Sequence, residues 1–192
     1  MRMTALEKYF VNNPSHTRTV ASRAQQLLGR INHQAGWRYL DVGCGVGAAA
    51  CEIAGASNLD VTGVDIDPKQ IDAAARAGAA RPNLHFRVMD ATKLDFRDGE
   101  FDIVAASMAT HHIHHWERAL SEMVRVLRTG GYLIYSDHVF PSWLAKPGRY
   151  LIRFMGFPST AALESLAAKE GLVKVHGLQQ SGHADLIWLK NG

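Results

Sequence analysis

The 192-residue chain is 47% hydrophobic and 20% charged, which suits a single domain over 1–192 with a sizeable core. No run approaches the roughly 18 apolar residues that cross a bilayer, and the opening stretch "MRMTALEKYFVNNPSHTRT" has no apolar region of the secretory-signal kind, so neither membrane insertion nor secretion is expected. A net charge of +3 is too small to argue for nucleic acid by itself.

The first predicted element is an amphipathic helix over 15–35. Val20, Ala24, Leu27, Leu28, Ile31 and Ala35 fall on one face, while Arg18, Ser22, Arg23, Arg30 and Gln34 fall elsewhere. "WRYLDV" reads as a strand, and "GAAACEIAG" as a helix closed by Gly55. "LDVTGVD" is a second strand, and Pro68 suits the first turn of the helix "PKQIDAAARAGAA". "NLHFRVMD" is a third strand. "FDIVAAS" is a fourth, followed by a His-rich loop and the helix "WERALSEMVRVLR", which Gly130-Gly131 is expected to stop. "YLIYSD" is a fifth strand. The helix "STAALESLAAKEG" then leads into "LVKVHGL" and "HADLIWLK". Only "QQSG" separates those two, too little for a parallel crossover, so they pair as an antiparallel hairpin. The alternation implies a doubly wound, Rossmann-like α/β fold: a seven-stranded, mostly parallel sheet with a C-terminal antiparallel hairpin.

The stretch "YLDVGCGVG" places three glycines after a strand that ends in a carboxylate. Gly43, Gly45 and Ala48 fit the dinucleotide fingerprint, so the loop alone leaves the ligand open. In open α/β sheets ligands bind at the carboxyl ends of the strands, where Asp41, Asp65, Asp90 and Asp137 are expected. A dinucleotide needs its pyrophosphate at the helix N-terminus, and Asp41 would repel it. Asp41 suits a ligand without phosphate that carries an ammonium or sulfonium group.

The set of motifs resembles the class I S-adenosylmethionine-dependent methyltransferases over about residues 36–190. "LDVGCGVG" is similar to that family's first motif, with Asp41, Gly43, Gly45 and Gly47 around the cofactor. "VTGVDIDPKQI" is similar to the second. The resemblance implies that Asp65 takes the ribose hydroxyls and that Ile66 packs on the adenine. "RVMDATKLDF" implies Asp90 at the adenine amino group and the Ala91 backbone at the ring. "FDIVAASMATHHI", with Ser107, and "EMVRVLRTGGYLIYSDH" are similar to the fourth- and fifth-strand motifs. The implied cofactor is S-adenosylmethionine. The branch it resembles most holds small-molecule and quinone-biosynthesis methyltransferases.

Methyl transfer from a sulfonium requires in-line placement of the nucleophile, and a base only if the nucleophile arrives protonated. The Pro-rich N-P-P-Y-like segment and the Pro-Cys pair of DNA-base methyltransferases are absent after strand four, which argues against those substrates. His111, His112, His114 and His115 show no fixed zinc spacing, so no metal is expected. His111 and His112 are candidate bases, though orienting the loop and contacting the donor is the stronger reading; His138 is a comparable candidate. Cys44 and Cys51 make no disulfide framework and point to a reducing cytoplasm, with Cys44 a small filler in a tight loop.

Basic charge is concentrated in two segments. Residues 1–38 hold six Lys or Arg and one acid, and residues 138–158 hold Lys146, Arg149 and Arg153 with no acid. The first is expected to cap the site as a helical segment over 1–35, bringing Tyr9 and Phe10 to the donor. The second is a short substrate-side insert whose Tyr150, Phe154 and Phe157 share helical spacing. Together they would roof an apolar small-molecule acceptor with an acidic group, drawn by Arg149, Arg153 and one of Arg18 or Arg23. The competing reading of the insert is a sheet-edge cover or a homodimer contact. RNA or protein methylation, and a non-catalytic module holding the donor or a dinucleotide, remain the alternatives.

Overall fold

In the computed structural model, residues 13–144 and 155–192 are described. The first helix, α1 (Pro14–Leu28), starts at Asn13, whose side chain accepts from the Ser15 amide. It stops at Gly29, earlier than the periodicity predicts, although Ile31 continues its buried face. Five strands follow in the expected order: β1 (Arg38–Val42), β2 (Asp60–Asp65), β3 (Leu84–Val88), β4 (Phe101–Ser107) and β5 (Leu127–His138). Between them lie α2 (Ala48–Ala56), α3 (Pro68–Gly78) and α4 (Trp116–Val126); α5 (Thr160–Lys169), β6 (Leu172–Gln180) and β7 (His183–Lys190) complete the chain.

The sheet order is β3-β2-β1-β4-β5-β7-β6. Strands β1 to β5 are parallel, and β7 enters antiparallel between β5 and β6. Buried residues alternate along the central strands. Tyr39, Val61, Ile103, Ala105 and Ile134 face α1 and α2, while Leu40, Val42, Val104, Leu133 and Tyr135 face the core that includes α4 and α5. Helices cover both faces, so the ends of the parallel strands are the natural place for a crevice.

Two predicted boundaries move. Gly55 lies inside α2, which ends at Ser57 with the Ser57 hydroxyl donating to the Ile53 carbonyl. Gly130-Gly131 does not stop α4. The chain already turns extended at Leu127, which pairs with Phe101, and the register then jumps to Ile103↔Tyr132. The two glycines belong to the resulting bulge. Gly130 sits at φ 73, and a Cβ on Gly131 would meet the Asp102 carbonyl oxygen at 2.6 Å.

Candidate active site

The glycine loop is shaped by backbone. Gly43, Gly45 and Gly47 take φ of 75, 54 and 78, a region that costs an L-residue about 1–2 kcal/mol. A Cβ on Gly43 would lie 2.5 Å from the Ala109 Cβ, and one on Gly47 would lie 2.8 Å from the Phe86 ring, whereas Gly45 faces open space. The Val64 carbonyl accepts from the Gly43 and Cys44 amides and ties the loop to β2. Gly47 caps α2 without a side-chain hydrogen bond, and the Ala50 amide in the first turn bonds Asp41.

Two carboxylates frame this loop. Asp65 accepts from the Gly45 amide at 3.0 Å and the Asp67 amide at 2.9 Å, which orients it at the end of β2. Asp41 is 2% exposed, and its Oδ2 has no partner among the described residues. Burial, then the charge of Asp65, push its carboxyl up to about 7 against the pull of the Ala50 amide. Burial also raises the Cys44 thiol well above its ordinary value, which fits a packing role rather than a nucleophile.

A hollow of about 50 Å³ is lined by Asp41, Gly43, Gly45, Ser107, Met108 and, from α1, His16. Asp65 and Ile66 follow it along the carboxyl edge at the end of β2, and Asp90 and Ala91 come just after β3; Ile66 is 37% exposed. Asp90 Oδ1 accepts from the amide and hydroxyl of Thr92, so one carboxylate oxygen is occupied by its own turn. Those bonds hold Asp90 below its ordinary range, against the upward push of partial burial.

Beyond β4 the chain is organised by Asp137, which is fully buried. Its Oδ2 accepts from the amides of Ala109, Thr110 and His111 and from the Thr110 hydroxyl, and its Oδ1 meets His111 Nδ1 at 2.5 Å. Burial pushes the Asp137 carboxyl up, but His111 and Thr110 together hold it below the usual range. His111 is thereby locked, with the His112 ring tilted 43° against it at 3.9 Å between centroids; neither lines the two hollows described in this section. Met108 immediately precedes this turn in a left-handed conformation, φ 53, fixed by its amide's bond to the Ser136 carbonyl.

A second cavity, of about 210 Å³, adjoins the first and shares His16, Val20, Ser107 and Met108 with it. Its other walls include Arg23, Ser136, His138 and His183. Burial and the neighbouring His111 and His183 hold the His138 imidazole below its ordinary value, and the charge of Asp137 and the Gly182 carbonyl only partly offset them. His138 is thus the one candidate base that lines this cavity. Sequence reasoning missed Ser136, His183 and Asp185. The signal was present in "HADLIW", where two polar residues two apart share one face of a strand that is otherwise apolar.

Tyr9, Phe10, Lys146, Arg149, Tyr150, Arg153 and Phe154 lie outside the described residues. Phe157 is buried and packs on Phe140 at 4.7 Å between centroids. Arg18 is exposed and lines neither hollow, whereas Arg23 lines the larger one. Among the described residues no helix is long and apolar enough to cross a membrane, and no three His, Cys, Asp or Glu side chains converge as a metal site.

A methyltransferase-domain family model matches residues 40–135, half of the chain. The chain belongs to that family, among the class I S-adenosylmethionine-dependent methyltransferases. It is 32% identical to a 27-O-demethylrifamycin SV methyltransferase of Amycolatopsis mediterranei, over 81% of this chain and 54% of that one. It is 34% identical to a demethylmenaquinone methyltransferase of Beutenbergia cavernae, over 67% of this chain and 53% of that one. The chain spans about half the length of the curated relatives it matches. Its fold superposes on the crystal structure of the [4+2]-cyclase SpnF with a TM-score of 0.76 at 20% identity, covering 89% of this chain and 81% of that one.

Proposed function

We propose that this chain transfers the methyl group of S-adenosylmethionine to a small-molecule acceptor. The observation that carries the reading is Asp41: a buried carboxyl with an unpartnered oxygen, close enough to Asp65 at the same glycine loop to feel its charge. Such a site favours a cation and disfavours the pyrophosphate of a dinucleotide. Asp41, Gly43, Gly45, Gly47 and Ser107 would hold the amino-acid end of the cofactor. Asp65 would hold the ribose, and Ile66, Asp90 and Ala91 the adenine. When bound, the cofactor supplies a methyl group already activated on sulfur. The protein's work is then to place the acceptor in line and exclude water.

The cavity under α1 is the acceptor site in this reading, with His138 as the residue that takes a proton. His111 and His112 order the turn between the two hollows. Arg23 faces the cavity, but its charge is already met by Asp185, with Nε 3.8 Å from Oδ2. An acidic group on the acceptor would therefore need another anchor. The relatives' small acceptors and the absence of a membrane-crossing helix among the described residues are compatible with a cytoplasmic enzyme of small molecules.

Thermal melting tests the cofactor. S-adenosylhomocysteine at about 100 times its Kd should stabilise the protein by about 2.7 kcal/mol, a rise in Tm of about 5–10 °C. NAD should give none. A rise with NAD and none with S-adenosylhomocysteine would overturn the assignment.

A further inference from the structure

Phe86 is held by three glycines from three elements. It lies in β3, an edge strand whose His85, Arg87 and Val88 are exposed, yet its ring packs inward against the core beneath α1 and α2. In register, Gly63 of β2 stands between Phe86 and Asp41 of β1. Side chains of one row share a face of the sheet, so Gly63 leaves the middle place of that row empty. The ring fills it. A Cβ on Gly63 would lie 2.7 Å from Phe86 Cδ1 and Cε1, and 3.0 Å from Cys44 Sγ. A Cβ on Gly47 would lie 2.8 Å from Phe86 Cζ and 2.9 Å from the Ala74 Cβ of α3. One on Gly78 would lie 3.0 Å from Phe86 Cε2 and 2.8 Å from Leu84 Cδ2. Gly47 also needs glycine for its φ of 78. Gly63 and Gly78 do not, since neither has a positive φ. Glycine inside a strand or a helix weakens that element, so β2 and α3 give up local stability for space alone.

We propose that Phe86 is a positioning residue of the donor site: its ring seats Gly47 and so sets where the first turn of α2 stands against Asp41. The proposal rests on the methyl-transfer reading. The path from ring to site is short. Gly47 is the N-cap of α2, the Ala50 amide bonds Asp41, and Asp41 lines the smaller hollow. The start of the loop is tied to β2 by hydrogen bonds, from the Gly43 and Cys44 amides to the Val64 carbonyl and from the Gly45 amide to Asp65. Its end at Gly47 rests on the ring and on Ala74. A smaller side chain at 86 lets the start of α2 settle toward β3. A Cβ at 63 drives the ring toward Gly47. Both displace the helix amides and Asp41 relative to Asp65, in opposite directions, so the two changes should cancel when combined. No such cancellation is open to Gly47, where the left-handed strain stays.

The test is calorimetric titration with S-adenosylhomocysteine, well below each variant's Tm so that only folded protein is read. Residues in contact couple by about 2- to 150-fold in an equilibrium constant. Within that range, Gly63→Ala should weaken binding about tenfold and Phe86→Leu about three- to tenfold. The double variant should return to within about threefold of wild type. Phe101→Leu makes the same truncation in the buried core at the start of β4. It should lower Tm and leave the affinity unchanged, which separates positioning from ordinary packing. Unchanged affinity in both single variants would overturn the proposal, as would a double variant whose loss is the product of the two. If Gly63→Ala fails to fold, Phe86→Leu against Phe101→Leu still decides, because equal affinities in those two would make the ring plain core. Failure of wild type to bind S-adenosylhomocysteine would remove the methyl-transfer reading and the proposal with it, whereas tight wild-type binding with insensitive variants removes the proposal alone.

Discussion

The two hollows share four residues but are built from different material. The smaller hollow, the proposed donor side, is framed by one stretch of backbone: positive-φ glycines, helix amides and strand-end carboxylates within 41–65. The larger, the proposed acceptor side, is a collection of side chains from α1, β4, β5 and β7, more than a hundred residues apart in the chain. A site made by backbone is fixed once its turn is formed. A site made by side chains depends on how four elements pack. Mutations should therefore damage the donor side through the fold and the acceptor side through chemistry.

The largest effect should come from the hinge between the two. Asp137→Ala leaves the amides of Ala109, Thr110 and His111, the Thr110 hydroxyl and the His111 ring without their acceptor. Removing one side of a buried charged network costs about 3–5 kcal/mol. Calorimetry should show Tm falling by about 6–20 °C. A fall of under 2 °C would mean that the turn holds without Asp137, and the two walls would then be independent.

Gly43→Ala should come next. It combines left-handed strain, about 1–2 kcal/mol, with a clash against Ala109 that costs about 1–3 kcal/mol. Gly45→Ala, at φ 54 but in open space, should lose only the strain. Urea melts of the two variants rank them. Equal losses would show that Ala109 yields, and that the loop is less fixed than its backbone suggests.

A further effect has the opposite sign. The Asp41 carboxyl is raised to about 7 in the fold, from about 4 in the unfolded chain. Between those values the folded protein holds a proton that the unfolded chain has lost, so stability falls as pH rises from about 4 to 7 and is level above. Three pK units set a ceiling of about 4 kcal/mol. Asp41→Asn should remove this slope and raise stability at pH 8 by about 1–3 kcal/mol, once the buried amide's own desolvation is counted. The same variant should bind the cofactor more weakly. In wild type, cofactor affinity measured by calorimetry should fall about tenfold per pH unit below about 7, because the cation requires the ionised acid. A pH-independent affinity would move the ammonium away from Asp41.

The contrast explains what could be read in advance. The strand–glycine–helix sequence and the three strand-end acids are local, and local backbone demands leave local residue signatures. The seven strands and the final hairpin were legible for the same reason. The end of α4 was not. Gly130-Gly131 looks like a helix stop, but pairing of Leu127 with Phe101 is long-range and turned those residues into a bulge. Arg23 was named for its charge, yet its place beside His183 and Asp185 depends on how α1 crosses the sheet. His183 went unnoticed because the polar face of "HADLIW" is local, whereas the pairing of β7 with β5 that brings it to the cavity is long-range.

The hairpin turn at Ser181 and Gly182, with φ of 47 and 76, works as a dial. Side chains on a strand alternate between faces, so a slip of one residue would exchange His183 and Asp185 for Ala184 and Leu186. The wall toward α1 would become greasy, while two ionisable groups would be thrust into the α5 side of the core. A two-residue change in turn length keeps the faces and slides the pair along the cavity instead. Inheritance of this architecture with a longer or shorter turn is thus a route to a reshaped cavity that leaves every glycine of the β1–α2 loop untouched.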